Sequence, residues 1–235
     1  MTVRPARLAG LAALSLFGTV PCCFGGNCTA PKAKAQDEKP AAVTYHFGVA
    51  PQRTNVTFES ETSVETIHGI THTMSGTADL DFAKGEGSAD LKVPVKSMDT
   101  GIPQRNEHLQ TEGWLDEKKF PDIGFKAKAL KRTKIDDTTK RETWAYEGDI
   151  TIHGVTRALK GEATVLRIPE ESGKRLGEGE WVKVKTQFEA KLSDFDIKVP
   201  EIAAAKVSPT WTVTVDIFGT TVMPAPPAPP APKEK

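Results

Sequence analysis

Between residues 43 and 222 apolar and polar side chains alternate again and again, and that two-residue period is the geometry of a half-buried β-strand. Ala78, Leu80 and Phe82 alternate with Thr77, Asp79 and Asp81, and Leu91, Val93 and Val95 with Asp90, Lys92 and Pro94. Val182, Val184, Thr186, Phe188, Ala190 and Leu192 alternate mostly with Lys183, Lys185, Gln187, Glu189 and Lys191. Trp211, Val213, Val215 and Ile217 alternate with Thr210, Thr212, Thr214 and Asp216. Weaker strands are expected at 45–49, 55–60, 122–130, 143–152 and 159–167. About eight or nine one-sided strands separated by Gly, Asp, Lys and Pro clusters read as a meandering antiparallel sheet. Left flat, such a sheet would expose long edges; closing it into a barrel removes them. The expected fold is therefore all-β, a single antiparallel barrel of about eight strands, with room for one small ligand if its own side chains do not fill it.

One segment breaks the alternation. Over 104–115, Leu109 lies among the polar residues Arg105, Asn106, Glu107 and His108, with Pro103 placed to open a helix and Gly113 to end it. A short helix there would cover one end of the barrel.

The ends of the chain are of another kind. Arg4 and Arg7 precede an uncharged stretch over 8–20, too short to span a bilayer and shaped like a secretory signal. Two processing sites are present: the small-x-small triplet Ala33-Lys34-Ala35, and Cys22 or Cys23, either of which would become a lipidated N-terminus. Residues 1–35 are thus read as leader and linker, 43–222 as the folded domain, and 223–235, rich in Pro and Ala, as an extended solvated tail. Export, to the periplasm or beyond, follows, with a membrane tether if a cysteine is acylated. Because all three cysteines (Cys22, Cys23 and Cys28) fall in the leader, no disulfide framework or thiolate chemistry is expected in the domain. With 31 basic and 31 acidic residues, nothing draws the whole chain toward phosphate backbones, so nucleic acid is not an expected partner.

The five histidines, His46, His68, His72, His108 and His153, are scattered. His68 and His72 are four apart, a zinc spacing only on a helix, and Gly69 and Thr71 point to a turn between strands instead. His108 with Glu107 and Asp116 resembles an acid/base set, but no nucleophile elbow, P-loop or metal signature accompanies it. No catalysis, metal or cofactor is expected. The aromatics pose a different question, because inside a barrel they decide whether the interior is full or hollow. Phe58, Phe82, Phe125, Phe188 and Trp211 fall on the apolar phase of their strands and should point inward, as core or as the wall of a slot. Leu80, Met98, Leu109, Trp114 and Ile152 join them as candidate wall residues.

Several runs, in order, carry a resemblance: Ser97-Met98-Asp99-Thr100, Arg105-Asn106-Glu107-His108-Leu109, Phe120-Pro121-Asp122-Ile123-Gly124-Phe125, and the stretch Gly148-Asp149-Ile150-Thr151-Ile152-His153-Gly154-Val155-Thr156. Together with Leu192-Ser193-Asp194-Phe195-Asp196-Ile197 they make the chain, from about 45 to 222, similar to the YceI-like family. The resemblance implies a lipocalin-like barrel, a periplasmic location, and a polyisoprenoid or related amphiphile bound in the lumen without catalysis. It also carries Arg105, Asn106 and His108 over as candidates for the mouth or headgroup site, against the simpler role of holding the helix on the barrel. Asn106 stands where the family has Asp, and Ser193 near a position where it has Arg or Lys. Two rivals remain: a filled barrel that works through its surface, and a hydrolase built on His108. The ligand's identity and the oligomeric state, a dimer included, are left open.

Overall fold

The computed structural model describes residues 42–223. It contains β1 (Val43–Phe47), β2 (Asn55–Glu61), β3 (Thr66–Thr71), β4 (Ser75–Asp81), β5 (Glu86–Pro94), β6 (Asp122–Ile135), β7 (Arg141–Ile152), β8 (Val155–Ile168), β9 (Trp181–Lys191) and β10 (Thr210–Thr220). From β4 through β10 each strand pairs antiparallel with the next, and β1 pairs with both β4 and β10, which closes the ring.

Two staves of this barrel are each made of two strands. β1 and β2 both lie against β10, with Phe47 opposite Gly219 and Asn55 opposite Asp216. Between them Pro51–Arg53 forms a 3-10 turn; Pro51 has no N–H to give to a ladder, and the buried Thr54 hydroxyl donates to the Ala50 carbonyl at 3.1 Å. β3 and β4 break at the same height, β3 pairing with β2 and β4 with β1. Ten strands thus make an eight-staved closed barrel, the all-β architecture that the alternation implies.

β3 occupies the stretch expected to be a turn. Its inward positions are Ile67, Gly69 and Thr71, so the glycine conceals the alternation. Gly69 stands directly opposite Phe58, whose ring lies where a Cβ would be. The device recurs: Phe47 covers Gly219 and Tyr146 covers Gly161, each from the facing position on the neighbouring strand. His68 is exposed and pairs with Glu59 at 3.2 Å, while His72 Nδ1 lies 2.7 Å from the Thr54 carbonyl. The two rings are thus engaged separately, and no group of three metal-ligating side chains exists among the described residues.

β6 runs five residues past the expected 130 because the register shifts between Ala127 and Ala129 and again between Arg132 and Lys134, and each bulge resets the alternation. The helix α1 (Pro103–Leu109) begins with Pro103 as expected but stops at Leu109, short of Gly113. Turns follow, and the Leu115 N–H donates to the Leu109 carbonyl at 3.1 Å.

Candidate functional site

The barrel has a sealed end and a covered end. At the sealed end Trp144 is buried and its indole N–H donates to the Glu142 carboxylate at 3.0 Å. Arg132 reaches that carboxylate at 3.4 Å and donates to the Phe82 carbonyl at 2.7 Å. The Arg167 guanidinium lies 4.7 Å over the Phe82 ring, which meets Tyr45 and Trp144 edge-on. Burial pushes the Tyr45 phenol up to about 12, with the Glu180 carboxylate adding to the effect and Arg167 opposing it. At the other end Leu109, Leu115, Leu192, Phe195 and Ile197 form an apolar cover over the staves.

Between the two lies a cavity of about 190 Å³. On this measure one water needs roughly 10–15 Å³, so the barrel is hollow rather than packed solid. Its wall is aliphatic and aromatic from end to end, including Phe47, Leu91, Phe125, Trp144, Phe188 and Val213. The polar side chains in the wall are mostly satisfied by protein. Thr71 and Ser97 hydroxyls are 2.7 Å apart, Thr186 donates to the Glu162 carbonyl at 2.8 Å, and Tyr146 Oη lies 3.3 Å from Thr186 Oγ1. Trp211 differs: it is 8% exposed, and its Nε1 has no hydrogen-bond partner among the described residues.

Of the candidate wall residues, Phe58, Leu80, Met98, Phe125, Ile152, Phe188 and Trp211 line this cavity. Phe58 and Trp211 stack on each other with ring centroids 4.5 Å apart. Three candidates lie elsewhere. Phe82 follows the last paired residue of β4, Asp81, and belongs to the sealed end. Leu109 is buried in the cover, and Trp114 packs half-buried beside it; because α1 stops early, the following turn sends Leu115 to the wall instead. Trp144 and Tyr146 also line the cavity, and the alternation that places them on one face of β7 with Ile150 and Ile152 is the sequence signal for them.

The candidate mouth residues divide. Arg105 pairs with Glu65 at 2.6 Å, which fastens α1 to the loop joining β2 and β3. Asn106 Oδ1 accepts from the Thr100 N–H at 2.8 Å and hydroxyl at 2.7 Å, and its amide donates to Asp99 Oδ1 at 2.7 Å. That bond, with the Gly101 N–H, holds the Asp99 carboxyl below the usual carboxylate range. Both side chains thus serve to anchor the helix. His108 is exposed and its ring takes no hydrogen bond among the described residues, while Asp116 pairs with Lys119 at 3.2 Å. Cys22 and Cys23 lie outside the described residues.

Comparison with known proteins agrees with this architecture. A family model described as a YceI-like domain matches residues 47–218. A UPF0312 protein of Pseudomonas savastanoi pv. phaseolicola is 30% identical over 141 residues, which cover 57% of this chain and 65% of that one; one from Pseudomonas fluorescens is 33% identical over 136 residues with the same coverage. The chain therefore spans about 65% of the length of these curated relatives. Among solved structures, Burkholderia cenocepacia BcnA superposes with a TM-score of 0.57 at 20% identity, over 73% of this chain and 99% of that one. A polyisoprenoid binding domain from Saccharophagus degradans gives 0.56 at 15% identity, over 76% and 98%. The Campylobacter jejuni YCEI protein gives 0.52 at 24% identity, over 65% and 83%. With a family model covering the barrel nearly from first stave to last, this chain belongs to the YceI-like family.

Proposed function

We propose that this protein is an exported lipid-binding barrel that holds a polyisoprenoid or similar long-chain amphiphile in its lumen, for carriage or sequestration, without transforming it. The observation that carries the reading is the hollow apolar interior. A wall with almost nothing to donate or accept selects ligands by exclusion of water, at roughly 0.8 kcal/mol for each buried methylene. The Saccharophagus degradans neighbour, named for polyisoprenoid binding, supports the choice of ligand class through a shared fold. Export rests on the leader sequence, as does a membrane tether through Cys22 or Cys23.

Filling the lumen tests the reading. Ala163→Trp and Val213→Trp place an indole in the cavity from two different staves. Each is expected to weaken binding of a long-chain isoprenol by about tenfold or more while the circular dichroism spectrum stays that of the parent. Equal binding by parent and both variants would place the ligand outside the lumen and refute the proposal.

A further inference from the structure

The seam between β8 and β9 is only half closed. β8 is paired with β7 from Val155 to Leu166, and β9 with β10 along its whole length. Between β8 and β9, however, pairing runs only from Ile168 opposite Trp181 to Ala163 opposite Thr186. Below that point the stretches 155–162 and 187–191 are not paired with each other. The Thr186 hydroxyl, donating to the Glu162 carbonyl, marks where the ladder stops. A 3-10 turn over Leu192–Phe195 bounds the gap from the other side, and His153 Nδ1 lies 3.2 Å from the Phe195 carbonyl. The result is a framed window in the wall rather than a frayed edge.

A pocket occupies that window, and Ile150, Leu159, Phe188 and Ala190 line both it and the lumen. Those four apolar side chains are all that the lumen and the window have in common. Its outer rim carries Arg157 and Lys191 beside Glu189 and Asp194, two charges of each sign and no net charge. Ala190, shared by lumen and window, stands directly opposite Trp211 in the β9–β10 register, and the Trp211 indole N–H is the buried donor left without an acceptor.

Resting on the lipid-binding reading, we infer that this window between β8 and β9 is the passage for the ligand's chain and the seat of its polar end, which is an uncharged oxygen-bearing head. The shared apolar residues let the chain slide from window to lumen without crossing a polar barrier. A balanced rim offers no advantage to a strongly charged head. Trp211 lines the lumen next to the shared Ala190, and its idle N–H gives an oxygen just inside the window something to accept, since leaving such a donor buried and unpaired is costly.

The domain lacks cysteine, so a single one can carry a bulky maleimide. Ala158→Cys places it at the exposed window rim, and His108→Cys places it on the exposed face of α1. Each is compared with the full parent chain treated with the same reagent, which marks Cys22, Cys23 and Cys28 alone. Uptake of geranylgeraniol is followed by stopped-flow emission of Trp144 and Trp211, which line the lumen. The label at position 158 is expected to slow uptake about tenfold without lowering the final occupancy, and the label at 108 to leave the rate unchanged. In a second arm, Trp211→Phe is expected to weaken geranylgeraniol about fivefold and leave the hydrocarbon of the same chain unaffected. An unchanged rate at 158, or slowing at 108 instead, overturns the passage; equal losses for alcohol and hydrocarbon overturn the head's seat. Absence of uptake by the parent chain defeats the lipid-binding reading itself, and the window with it.

Discussion

Phe58 shows how much one ring does in this barrel. It fills the space over Gly69 on the next stave, stacks on Trp211, and presents its surface to the lumen. Truncation in Phe58→Ala removes a buried ring and leaves Gly69 uncovered, so a loss of about 3–5 kcal/mol is expected in urea or thermal denaturation. Tyr45 makes a different kind of prediction. Its phenol is pushed up to about 12, first by burial and then by Glu180, so the folded state favours the neutral form. A group whose folded value is raised contributes fully below its unfolded value, near 10 for tyrosine, and loses that contribution as pH rises through the folded value. The urea midpoint of the parent is expected to fall between pH 10 and 12 more steeply than that of Tyr45→Phe. Parallel curves for the two would remove Tyr45 from the alkaline limb.

At the scale of elements, the sequence made the strands legible wherever alternation ran uninterrupted, as in β9 and β10. It concealed β3 because an inward glycine is invisible as an apolar position until the facing Phe58 is known. It understated β6 because two bulges change which face each residue takes, and a bulge depends on the partner strand. The short α1 was visible through Pro103, but its end was not, since Leu109 and Leu115 are both buried and the turn between them is fixed by backbone bonds. Arg105 and Asn106 read equally well from sequence as headgroup ligands or as fastenings; only their partners, Glu65, Thr100 and Asp99, distinguish the two. The Arg105–Glu65 pair is partly exposed, so Arg105→Ala is expected to cost less than about 1 kcal/mol of global stability. Its effect should be local: faster amide exchange in α1 than in β7 or β9, with the barrel's own protection unchanged.

For the molecule as a whole, closure was inferable and hollowness was not. Strand number and the liability of open edges argue for a barrel from composition of faces alone. Whether inward side chains meet across the lumen depends on strand tilt, on glycines that lend their space to neighbouring rings, and on the broken staves around Pro51, none of which a periodicity reports. Phe58, Leu80, Phe125, Ile152, Phe188 and Trp211 face the lumen from paired strands and Met98 faces it from the segment before α1, whereas Phe82 lies past the end of β4. The sealed end, with Glu142 accepting from Trp144 and Arg132, closes the barrel opposite α1, which leaves the half-paired seam as a break in the ladder of the wall.

Lipid binding in the lumen is tested by native mass spectrometry of the protein as purified from a bacterial host, followed by organic extraction and mass identification of what is bound. The expected result is a complex heavier than the chain by one long-chain lipid of isoprenoid type, released intact and unaltered by solvent. A chain that arrives empty and stays empty after incubation with long-chain isoprenols would contradict it, and would leave the hollow lumen without the ligand assigned to it.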